Sequence, residues 1–128
     1  APERADLYMA LGLAYEAEQN YAAAERAYGR FAAVCPDCRP EADVLLAHAY
    51  AAAGDSARAD AALARPKVRA SADPGDIAAA LIAMNRRTEA LRALRSFPKG
   101  EVAHLALDPR LDPVRSDPRF KKYLTAPA

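Results

Sequence analysis

A chain of 128 residues with a net charge of +1 is one domain's worth, long enough to bury most of its apolar surface without metal or disulfide staples. No apolar run nears the roughly 20 residues that cross a bilayer. The N-terminus also lacks the basic-then-apolar order of a signal peptide, so no membrane insertion is expected. Alanine supplies about a quarter of the chain and loses no side-chain entropy in a helix, which points to an all-α protein with closely approaching helices.

Charge is unevenly placed. Residues 1–64 carry 10 acids against 5 bases, and residues 65–128 carry 7 against 13. These charges read first as solvated helix faces; the asymmetry also admits weak head-to-tail self-association or steering of a charged partner. The chain opens on Ala1, which fits a processed chain or a piece of a longer one.

In chain order, Leu7, Leu11 and Ala14 recur at i, i+4 and i+7 and predict a first helix. "EQNY" at 18–21 interrupts it, and Ala24, Ala27, Tyr28 and Phe31 recur at i, i+3, i+4 and i+7 as its partner. A second pair is broken by "AAGDS" at 52–56, where Gly54 suits a left-handed helix end and Asp55 or Ser56 a cap. "MNRRT" at 84–88, with Asn85, breaks a third. "GEVAHLAL" at 100–107 starts a further helix that Asp108-Pro109 stops. Asp117-Pro118 opens a last short helix, because Asp caps and Pro fits the first helical position, with Phe120, Tyr123 and Leu124 on one face.

The pairs repeat one another. Leu11-Gly12, Tyr15, Ala24 and Tyr28 return 35 residues later as Leu46-Ala47, Tyr50, Ala59 and Leu63, and 31 further on as Ile77-Ala78, Leu81, Ala90 and Leu94. Small residues recur where two helices must approach to the short end of the 8–10 Å range. Hairpins of this kind cannot bury their apolar faces alone and must stack.

In the first copy Tyr8, Leu11-Gly12, Tyr15, Tyr21, Ala24, Tyr28 and Pro36 match an aromatic, Leu-Gly, Tyr, Ala, aromatic, Pro pattern, and the chain thereby resembles a tetratricopeptide repeat (TPR) array. The second copy departs at Asp43 and the third at Pro74, each standing where the opening aromatic belongs. "LDPRLDPVRSDPRFKKYL" resembles the closing segment of bacterial proteins of this group, in which the array often follows a winged-helix, cyclase or kinase domain. The resemblance implies a right-handed α-α superhelix of three hairpins, about 5–37, 40–66 and 74–98, in one domain over 1–128, with a capping tail over 99–125.

It also implies a protein- or peptide-binding module whose concave groove is lined by the first helix of each hairpin. By that register Met9, Leu13, Glu16, Val44, His48, Ala51, Ala79 and Ile82 face the groove, an apolar surface with two polar spots that suits an apolar or amphipathic segment. The Lys and Asn side chains with which chaperone-binding members clamp a terminal carboxylate are not at these places. The alternative is a structural or regulatory domain of a larger sensor, with its groove filled internally or used to dimerise.

Cys35 and Cys38 flank Pro36 between the first two hairpins. They read as turn thiols or as a local disulfide, the latter implying an extracytoplasmic setting; the compartment, periplasm or cytoplasm, is otherwise open. Zinc needs two more donors and finds only His48 and His104, far apart in sequence, so no metal or cofactor is expected. Haem attachment fails at Arg39, and redox catalysis lacks its strand-helix context. The basic group Arg86, Arg87, Arg92, Arg95 and Lys99 lacks interleaved aromatics, so no nucleic acid is expected. With no paired acids, nucleophile-base set or glycine-rich phosphate loop, an enzyme is not expected either.

Overall fold

The computed structural model describes residues 2–96 and 107–124, with side chains described over 4–96 and 107–122. Residues 100–106 of the helix expected over 100–107, Lys99, His104 and the side chains of Tyr123 and Leu124 lie outside the described residues; Leu107 is in a turn. Every regular element among the described residues is helical, and no helix among them is long and apolar enough to cross a membrane. The chain divides into two compact units, Ala1–Ala72 and Asp73–Ala128.

The first unit contains α1 (Pro2–Ala17), α2 (Tyr21–Val34), a 3₁₀ turn (Pro36–Cys38), α3 (Arg39–Ala52), α4 (Ser56–Leu63) and α5 (Pro66–Ser71). Helix α1 packs on α2, α2 on α3, and α3 on both α4 and α5. Tyr28, Phe31 and Leu45 form the core with Ala5, Ala24, Ala32, Ala42 and Ala49. Gly12 has a steric reason: a Cβ built there would lie 2.2 Å from Tyr28 Cε1. The alanines at the other small positions, Ala24, Ala47 and Ala59, have no exposed surface.

The second unit contains α6 (Pro74–Ala83), α7 (Arg87–Leu94), a 3₁₀ segment (Pro109–Val114) and α8 (Pro118–Leu124). Helix α6 packs against α7 and against the 3₁₀ segment. Its residues 77–82 are all buried, as are Leu111, Val114 and Phe120. Three Asp-Pro steps start elements here by one device. Asp73 accepts from Gly75 N at 2.7 Å, Asp108 from Arg110 N at 2.9 Å and Asp117 from Arg119 N at 3.0 Å, satisfying amides that a helix start leaves without partners.

The turns of the three hairpins are alike. Gln19 (φ 62°), Gly54 (φ 88°) and Asn85 (φ 61°) take the left-handed conformation. In each case the next residue donates its amide five residues back, Asn20 to Tyr15 O, Asp55 to Tyr50 O and Arg86 to Leu81 O, all at 2.8 Å. That is the hydrogen bond with which a helix end satisfies a carbonyl the helix itself leaves open. The turn positions are 35 and 31 residues apart, the spacing of the sequence repeat.

Helix α5 was not among the expected elements, for residues 66–71 start at the end of the second expected hairpin, 40–66, and run into the gap before the third at 74. Six residues with one fully buried side chain, Val68, carry no periodicity. Pro66 at the first turn was the available signal.

Candidate functional site

The polar centre of the first unit is Glu16 on α1. Tyr28 Oη on α2 donates to Glu16 Oε1 at 3.0 Å, and His48 Nδ1 on α3 lies 2.5 Å from Glu16 Oε2. The side chains of Glu16 and His48 are only 8% and 12% exposed. A carboxylate so far from water must be paired or it costs several kcal/mol. Here each oxygen has a partner, and the three side chains tie three helices at one point. Glu16 and His48 are both groove residues by the sequence register, and the structure brings them together across 32 positions. Tyr28 was read only for its ring; no pattern in the sequence announces which carboxylate its hydroxyl meets.

The remaining groove positions fall into two groups. Leu13 is exposed and Met9 is half-buried, whereas Val44, Ala51, Ala79 and Ile82 are all buried. The accessible part of the expected surface is therefore on α1. That helix also exposes Leu7 and Leu11. Beside them a depression of about 230 Å³ opens between α1 and α2, lined by Tyr8, Leu11 and Tyr15 with Arg26 and Arg30.

Two further clusters were not foreseen. Asp43, which the resemblance sets at an aromatic's position, is 4% exposed. It accepts from Arg39 Nε at 3.1 Å and, with both oxygens, from Arg65 Nη1 at 3.0 Å. Burial of the carboxylate is offset by the two guanidinium groups that take the place of its water. In the second unit Arg110 bonds Asp76 at 2.7 Å and Asp108 at 2.8 Å. Burial raises the Asp76 pKa, against the opposing pull of Arg110. Burial alone would lower the Arg110 pKa, but the hydrogen bond it donates to Asp108 and the charge of Asp76 outweigh it and hold the group above its ordinary value.

Cys35 and Cys38 are joined as a disulfide, with Cα atoms 5.3 Å apart. It closes the 3₁₀ turn between α2 and α3, and its loop is too short to add much entropic stability. In the basic group, Arg87 reaches Asp117 at 3.4 Å and Pro113 O at 3.2 Å. Among the described residues no three His, Cys, Asp or Glu side chains are grouped so as to hold a metal ion.

No protein-family model, no curated protein and no solved structure matches the chain.

Proposed function

We propose that the chain is a TPR-like module, an array of helix hairpins of the right-handed superhelical kind, that binds a protein or peptide segment and does no chemistry of its own. The observation that carries this reading is the exposure of Leu7, Leu11 and Leu13, all on α1. On the first helices of the other hairpins, Val44 and Leu45 on α3 and Ile77, Leu81 and Ile82 on α6 are buried, and Leu46 and Tyr50 on α3 are half-buried. Leu7 and Leu11 lie together on one side of α1 and Leu13 on the other, and adjacent exposed apolar side chains are what an interaction surface presents. The equal turns at Gln19, Gly54 and Asn85 support the repeat register on which the resemblance rests.

A second reading has its own support. Burial of Val44, Ala51, Ala79 and Ile82 fits a scaffold domain of a larger sensor or regulator whose groove is filled from within. A pull-down from the source extract separates the two. Wild-type chain is compared with a Leu7→Glu/Leu13→Glu variant, which places a charge on each accessible side of α1, and captured proteins are identified by mass spectrometry. A partner lost in the variant is expected for the binding module. The same set from both, or nothing from either, favours the scaffold.

A further inference from the structure

Leu7, Tyr8, Leu11 and Tyr15 share one side of α1, since at 3.6 residues per turn they fall within an arc of about 100°; Leu13 and Glu16 lie on the opposite side. This second surface was not among the expected groove positions. It borders the depression of about 230 Å³ between α1 and α2, which is smaller than the roughly 300–1,000 Å³ of small-molecule sites and has room for one or two side chains. The other wall is basic. Arg26 and Arg30, both exposed, stand one turn apart on α2. Among the described residues neither has a carboxylate partner, and Arg30 Cζ lies 5.8 Å from the centroid of the Tyr8 ring.

From this charge and shape we infer that the α1–α2 depression docks an acidic amphipathic segment of a protein partner. One or two bulky apolar side chains of that segment enter between Tyr8, Leu11 and Tyr15. Two of its carboxylates, spaced like one helical turn, meet Arg26 and Arg30. A basic segment would bring like charge against Arg26 and Arg30. A neutral apolar one would leave both guanidinium groups to water and gain nothing from them, so charge complementarity selects the acidic class. The inference rests on the binding-module reading and names its partner's chemistry.

The test pans a random peptide library on the immobilised full chain and measures an enriched, fluorescently labelled peptide by anisotropy. Enrichment of sequences pairing acidic with bulky apolar residues is expected. Arg26→Glu/Arg30→Glu should weaken binding by about tenfold or more, as the loss and reversal of two exposed charge contacts implies. Arg69→Glu, a charge reversal at an exposed position on α5 away from the depression, should leave it unchanged. Arg26 and Arg30 are both exposed, and circular dichroism checks that the double variant keeps its helix content. Peptides that bind the double variant as well as wild type but lose Leu13→Glu overturn this inference and leave the binding module standing. Enrichment of basic or neutral peptides likewise overturns it. No enrichment at all removes both readings, and self-association of the chain through the same face, read by sedimentation, replaces the acidic segment with a second copy.

Discussion

At Gly12 the requirement is space rather than backbone freedom, because the Tyr28 ring occupies the volume a Cβ would need. Alanine would gain up to about 1 kcal/mol in helix propensity, but overpacking a closed core costs about 1–3 kcal/mol. The ring cannot swing aside freely: it is fully buried and its hydroxyl is held by Glu16. Gly12→Ala should therefore destabilise the first unit by a net 1–2 kcal/mol, roughly, in urea unfolding; stability at or above wild type would contradict the packing account. The Leu-Gly pair and its small-residue equivalents were legible in the sequence because spacing alone reveals where helices come close. The Glu16–His48–Tyr28 and Asp43–Arg65 contacts were not. They join residues 12 to 32 positions apart, and periodicity fixes the face of a helix but not the partner of a polar atom.

Helix ends are the next scale, and here the sequence was most readable. Gly54 and Asn85 are residue types that enter the left-handed region at low cost, and both mark turns. Gln19 sits in the same conformation without that excuse, at a cost on the order of 1–2 kcal/mol. It is exposed, so nothing is lost with its side chain. Gln19→Gly should raise stability by up to about 1 kcal/mol, read as a higher midpoint in thermal or urea unfolding, and a lower midpoint would contradict the turn geometry. The short α5 and the Asp-Pro starts show the limit of periodic reading: elements of one or two turns are set by their caps and prolines, not by an apolar stripe.

The clamp between α6 and the 3₁₀ segment adds a pH dependence whose sign follows from burial. Because the Asp76 pKa is raised in the folded chain, the folded state holds that proton more tightly than the unfolded one. Its contribution is fully present below the ordinary aspartate value and is lost as pH rises through the raised value. Relative to Asp76→Asn, the wild-type chain should lose stability as pH climbs from about 4 toward neutrality, measured by urea unfolding across that range. A difference that grows in the wild type's favour with rising pH would contradict the burial of Asp76. Asp117 runs the other way: the hydrogen bond from Arg119 lowers its pKa, so its contribution is lost as pH falls.

For the whole molecule, the helix pairs and their order were foreseeable from repeated spacing, and the accessible surface only in part. The register put eight residues on one groove; the structure leaves Met9 and Leu13 accessible and covers Val44, Ala51, Ala79 and Ile82. Burial depends on what packs over a face, which a single helix's pattern does not contain. What stays accessible is the α1 surface. The most direct measurement is backbone hydrogen exchange, read by mass spectrometry, on the full chain alone and with a captured partner. Added protection is predicted over residues 7–15 of α1, with α6 and α7 unchanged. Protection confined to residues 73–96, or none in α1, would contradict the assignment of α1 as the contact helix.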